Sequence, residues 1–172
     1  GLGRACALEL ARAGCRVVIN GRDVKALEET ATAIRAETGS EVIPIAGDVG
    51  ETTVQQALIG AVPHVDILIN NNGGPPFRDF RELDRAALEA GVSANMLVPI
   101  EMVQRVLDGM CTRKFGRIVC ITSASVKMPL AGLDLSSGAR LGLTGFLAGV
   151  ARSVAHANVT LNFLLPGSFE TR

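Results

Sequence analysis

Five short runs of aliphatic, mostly β-branched residues, separated by stretches with helical spacing, constrain this chain more than any other feature. Val17, Val18 and Ile19 form the first run, Val42, Ile43 and Ile45 the second, and Val65, Ile67, Leu68 and Ile69 the third. Residues 118–121 and 159–164 complete the set. Runs this short and this apolar suit strands buried on both faces. Between them Ala5, Leu8 and Ala11 mark a helix over 4–13, closed by Gly14. Ala26, Leu27, Ala31 and Ile34 mark another over 23–37, with Asp23 placed to cap it and Gly39 beyond its end. A polar helix with Val54, Leu58 and Ala61, a long helical region over 82–113 and a helix over 141–157 follow. Strand and helix alternating throughout predict an α/β fold: a doubly wound parallel sheet in three αβα layers, as one domain over 1–172. Pro44 cannot donate to a ladder, which sends its strand to a sheet edge.

Ligands of such sheets bind beyond the carboxyl ends of the strands. The Gly, Asn and Ser clusters fall there, after Ile19, Ile45, Ile69 and Ile121. Composition narrows the partners. Seventeen Lys and Arg balance seventeen Asp and Glu, so no summed field draws the chain to nucleic acid or to an anionic membrane. No stretch approaches ~18 consecutive apolar residues and the start lacks signal-peptide order, which makes a cytoplasmic setting the expectation. Cys6, Cys15, Cys111 and Cys120 form no Cys-x-x-Cys pair and are expected reduced; with only His64 and His156 to join them, no metal site is expected. There is no Tyr and no Trp, so chemistry needing a phenol is excluded.

Gly1, Leu2 and Gly3 before a helix can present backbone N–H groups to a phosphate, or can be an ordinary turn. In the dinucleotide fold the turn after the second strand reads the ribose: an acid accepts from the 2′-OH, an Arg accommodates a 2′-phosphate. Here that turn holds Asn20, Gly21 and Arg22. A forked cation suits a phosphate, and no acid opens the turn to repel one, so NADP is expected ahead of NAD. The alternative is a solvated Arg at a helix start.

These residues resemble the short-chain dehydrogenase/reductase family over nearly the whole chain. The resemblance implies a Rossmann-type fold in which Gly1, Leu2 and Gly3 end the glycine motif. Asp48 and Val49 would contact adenine, and Asn70, Asn71, Asn72 and Gly73 stand for the family's Asn-Asn-Ala-Gly signature. Asn95, in "SANMLVPI", would hold a water of the proton relay, and Ser123, in "GRIVCITSAS", would orient substrate. Pro166 and Gly167 with Thr171 would line the nicotinamide. Against that family the chain, which opens on Gly1 rather than Met, is expected to be a fragment without the first strand and the C-terminal elements. A homodimer or homotetramer would be its assembly.

The family's Tyr-x-x-x-Lys pair falls on Ser136 and Arg140. A Ser hydroxyl, on the order of four units less acidic than a phenol, needs roughly 5 kcal/mol more stabilisation to serve as the acid. Arg140 keeps the charge with a different head and can still hold ribose hydroxyls. The segment "GARLGLTGFLAGVAR" resembles a divergent 3-oxoacyl-carrier-protein-reductase-like branch. The expected function is therefore an NADP(H)-linked oxidoreductase on a small-molecule carbonyl or secondary alcohol, such as a 3-oxoacyl thioester; the alternative is a catalytically silent nucleotide-binding relative acting as sensor or partner subunit. Asp134 is a candidate substitute acid but reads as a solvated loop residue, while His64 and His156 do not read as catalytic. Met96, Met102, Phe146 and Leu147 are expected to pack in the core. Pro75, Pro76 and Phe77 make a rigid loop beside the cleft.

Overall fold

The computed structural model describes residues 1–168. It is α/β, with every described strand pairing parallel, in two compact units.

The first unit, Gly1–Pro63, runs α1 (Leu2–Arg12), β1 (Val17–Gly21), α2 (Val24–Thr38), β2 (Val42–Ala46) and α3 (Thr52–Gly60). Asp23 caps α2 through the amide of Ala26 at 3.0 Å, and Gly39 ends it in the left-handed conformation that a Cβ would disfavour. Val17 pairs with Val42 and Gly21 with Ala46; among the described residues β2 pairs with β1 alone, which puts Pro44 on an edge strand as expected. Ala7, Ala11 and Ala31 are buried with Val17, Ile34 and Val42. Their small side chains let α1 and α2 lie close together.

The second unit, over 64–168, runs β3 (Ile67–Asn70), α4 (Arg85–Val92), α5 (Val98–Arg113), β4 (Gly116–Ile121), α6 (Asp134–Val154) and β5 (Val159–Leu164), in sheet order β3-β4-β5. Val103, Met110, Ile118, Leu143, Leu147 and Val159 are almost fully enclosed. Met102 and Leu147 pack as expected and Met96 covers Gly142, whereas Phe146 is 51% exposed and lies outside the core. Residues Arg85–Arg113 make a continuous helical run long and apolar enough, by length and composition, to cross a membrane, but its apolar seam from Val98 to Met110 is buried within the unit.

Two local departures from the sequence reading shape the site. Between α4 and α5 the chain makes a π turn, Ser93–Leu97, where the amide of Val98 reaches the carbonyl of Ser93. Pro99 supplies the cause: it has no N–H to give the Asn95 carbonyl, so the regular ladder cannot pass through. The last long helix begins at Asp134, not Leu141. Apolar periodicity fades over Ser136, Ser137 and Gly138, but Ser137 donates back to the Leu133 carbonyl at 2.8 Å and keeps the first turn helical.

Candidate active site

Because α6 starts early, Ser136 and Arg140 stand one helical turn apart on the same face. The Arg140 Nε donates to Ser136 Oγ at 3.3 Å, Nη1 to the Ile121 carbonyl at 2.9 Å and Nη2 to the Asn72 carbonyl at 3.0 Å. One guanidinium thus ties the first turn of α6 to the end of β4 and to the loop after β3. Both side chains are buried, at 6% exposure each. No carboxylate pairs with Arg140 among the described residues, and burial pushes its pKa down from the ordinary value. Three of its five N–H groups are used in these bonds, and the other two have no partner among the described residues. A Cβ on Gly74 would stand 3.7 Å from Nη2 and 3.9 Å from Ser136 Oγ, so a side chain there would pack directly against both groups.

Ser123 caps the single turn 124–126 beyond β4, its Oγ accepting from the Ser125 amide at 3.1 Å and the Ser125 hydroxyl at 2.9 Å. The Pro166 carbonyl accepts from the Ala124 amide at 2.9 Å, which fastens the segment after β5 to the same turn. Asn95 lies in the π turn at 1% exposure; its Nδ2 donates to the Gly91 carbonyl at 3.3 Å, and its buried Oδ1 has no partner among the described residues. Asn70 is drawn into the frame, donating to the Pro99 carbonyl at 3.1 Å and to Cys120 Sγ at 3.6 Å. Gly73 and Gly167 face open space, and Thr171 lies outside the described residues. Asp134 is exposed on the first turn of α6 instead of in a loop.

In the first unit, Gly1 precedes α1 and the glycine turn runs into it, with Leu2 and Gly3 already helical. No side chain caps that end and no acid stands in its first turn; the first amide with a helical acceptor is that of Ala5, bonded to Gly1. Asn20 donates to the carbonyls of Ile45 at 2.8 Å and Gly47 at 3.1 Å, tying β1 to the turn after β2. Arg22 is exposed and makes no ion pair among the described residues. Asp48 closes its own turn on the Gly50 amide at 2.8 Å, and the Val49 carbonyl takes the amide of buried Gln55 at 2.9 Å.

Sequence reasoning missed Gly74 and Ser125. The repeated Ser in "SAS" was the available signal, since a hydroxyl two residues on is placed to bond back into such a turn. Among the described residues no cluster of His, Cys, Asp or Glu is arranged to hold a metal.

Residues 1–172 match the model of the family described as short chain dehydrogenase. The chain is 32% identical, over 99% of its length, to an acetoacetyl-CoA reductase of Cupriavidus necator, of which it covers 71%. Two solved structures resemble it at 28% identity. One is YwfH, an NADPH-dependent reductase involved in bacilysin biosynthesis, at a TM-score of 0.91 over 97% of this chain and 68% of that one. The other is a metagenomic short-chain oxidoreductase in complex with NADP, at 0.89 over 98% and 78%.

Proposed function

This chain belongs to the short-chain dehydrogenase family of oxidoreductases, and from that premise we propose that it uses NADPH to reduce the ketone of a 3-oxoacyl thioester or a similar small carbonyl compound. The observation that carries the proposal is the Arg140 clamp, which gathers Ser136, the end of β4 and the Asn72 loop around one buried cation.

The residues present fit the cofactor. In the first unit, the uncapped start of α1 with Gly1, Leu2 and Gly3 offers amides to a pyrophosphate. Arg22 would offer its fork to a 2′-phosphate beside Asn20, and Asp48 with Val49 would contact adenine. In the second unit, Asn72 and Gly73, with Asn70 holding the strand end, and Pro166 and Gly167 would meet the nicotinamide end; Thr171, which the family resemblance adds to that set, lies outside the described residues. Arg140 can hold ribose hydroxyls with the N–H groups it has left.

The bound cofactor would supply the hydride. Ser123 and Ser136 would donate to the substrate carbonyl oxygen, Arg140 would hold positive charge beside Ser136, and Asn95 would carry the water that relays a proton through its unpartnered Oδ1. With no phenol to act as acid, turnover is expected to fall about a hundred- to ten-thousand-fold below that of a site with a positioned acid. Cytoplasmic residence, a single domain over 1–172 and a homodimer or homotetramer belong to the same proposal; four free thiols support the reducing compartment.

Incubation with NADPH and a panel of 3-oxoacyl thioesters, ketones and quinones tests the reading through the absorbance of the reduced nicotinamide. Consumption with acetoacetyl-CoA is the expected result, and no turnover on any compound overturns it. The missing Tyr supports a second reading, a silent nucleotide-binding relative. Ser136→Tyr with Arg140→Lys separates the two: a silent site gains activity, whereas a site with its own proton route loses activity or stays as it was.

A further inference from the structure

We propose that Ser125 is a positioning residue that fixes the hydrogen-bonding sense of Ser123, so that Ser123 and Ser136 form a pair of hydroxyls that present their protons toward a substrate oxygen. The inference rests on the ketone-reductase reading above and assigns the part that replaces the lost phenol.

A hydroxyl has one proton to give and two lone pairs to fill. Ser125 is 1% exposed, and its Oγ has a single partner among the described residues, Ser123 Oγ at 2.9 Å. Were Ser123 to donate along that contact, the Ser125 proton would be buried without an acceptor, which folded proteins avoid. Ser125 therefore donates. Its backbone amide donates to the same Ser123 oxygen at 3.1 Å, so both lone pairs of Ser123 are taken and its own proton is directed elsewhere.

Ser136 is biased the same way by another route, with one of its two lone pairs filled. Arg140 has no acceptor, so the 3.3 Å contact from Nε has only one possible sense. The Ser136 proton then has no acceptor among the described residues, although the side chain is buried. Arg140 also holds the carbonyl of Ile121, two residues before Ser123, so one side chain orders both hydroxyl-bearing segments. Asp134 is two positions from Ser136 on the helix and does not share its face.

Two protons without acceptors among the described residues suit an oxygen that only accepts: a ketone carbonyl, and the oxyanion formed when hydride reaches its carbon. In the full step the C–H bond forms, the carbonyl π pair moves to oxygen, the reduced nicotinamide is oxidised, and the oxygen takes its proton from water, leaving hydroxide to solvent. Neither serine loses its proton.

The test uses the full chain with NADP+ bound, which cannot turn over, and acetoacetyl-CoA carrying 13C at the ketone. Difference infrared spectroscopy reads the ketone stretch. Wild type is expected to shift it to lower frequency, and Ser125→Ala and Ser125→Cys to reverse much of the shift, Cys because it fills the space of Ser but donates weakly. In turnover with NADPH the same variants are expected to lose about tenfold in kcat with little change in KM, the scale of one hydrogen bond. An unshifted ketone in wild type overturns the inference without recourse to any variant. So does a Cys variant that matches wild type in both readouts, because packing alone would then explain Ser125. Failure of the thioester to bind overturns the ketone-reductase reading and this inference with it; binding without a shift overturns this inference alone.

Discussion

A guanidinium at position 140 in place of an ammonium changes how many groups one side chain can join. Arg140 reaches a hydroxyl and two carbonyls on three segments; an ammonium is a compact point charge that cannot span them. Arg140→Lys is therefore expected to leave at least one buried carbonyl unpaired and to cost about 1–3 kcal/mol in denaturant unfolding. A loss under about 0.5 kcal/mol would contradict the clamp. Gly74→Ala tests the approach to these groups: its Cβ meets Nη2 and Ser136 Oγ at ordinary contact distances, so kcat/KM should drop while thermal unfolding stays put. Cys120 makes a third case. Burial pushes its thiol pKa up, with the Asn70 amide opposing in part. A folded value above the unfolded one means its stabilising effect is whole below the ordinary thiol value of about 8.5 and is lost as pH rises through the raised folded value. Cys120 should react last of the four thiols with an alkylating agent, and Cys120→Ala should soften the alkaline fall in stability. Residue types at these stations were legible in the sequence. The acceptors of Arg140 were not, because backbone carbonyls carry no signature in a side-chain code.

Helix spacing explains why Ser136 and Arg140 cooperate, and helix packing decides how firmly. Gly91 on α4 faces Leu135 on α6 so closely that a Cβ would lie 2.5 Å from Leu135 Cδ2. Gly145, further along α6, has nothing within 4 Å of the same point. Gly91→Ala is therefore expected to destabilise by about 1–3 kcal/mol through overpacking. Gly145→Ala should stabilise by up to about 1 kcal/mol, the ordinary gain from replacing glycine in a helix interior. Equal effects on the two unfolding curves would refute the contact. The strands were legible almost to the residue because their aliphatic runs are short and sharply bounded: 159–164 was anticipated as found. Asp23 and Gly39 marked both ends of α2 for the same reason. The start of α6 was obscured because serines bonding their own backbone look like turn formers until tertiary packing holds them helical. The π turn at Asn95 was legible in principle from Pro99, four residues on, whose missing N–H breaks the ladder there.

Across the whole molecule, two sheets of parallel strands carry separate sets of candidate residues, and cofactor linkage offers a readout that does not require turnover. A ligand that binds the folded chain raises its stability by RT ln(1 + [L]/Kd), so at equal concentrations the tighter cofactor gives the larger rise in Tm. Arg22 is exposed and free of ion pairs among the described residues, which leaves its fork available to a 2′-phosphate. NADPH should therefore raise Tm more than NADH. Arg22→Ala should remove most of that difference by lowering the NADPH shift alone, with the unliganded Tm little changed because no hydrogen bond or ion pair among the described residues is lost. A charge-assisted hydrogen bond of about 1.5–3 kcal/mol corresponds to roughly ten- to hundredfold in Kd, well within the resolution of a titration followed by melting. Equal shifts from both cofactors in the unaltered chain would remove Arg22 from the cofactor site and leave the family's hydride chemistry open to NADH as readily as NADPH. A shift from NADPH that survives Arg22→Ala undiminished would place the 2′-phosphate on some other cation.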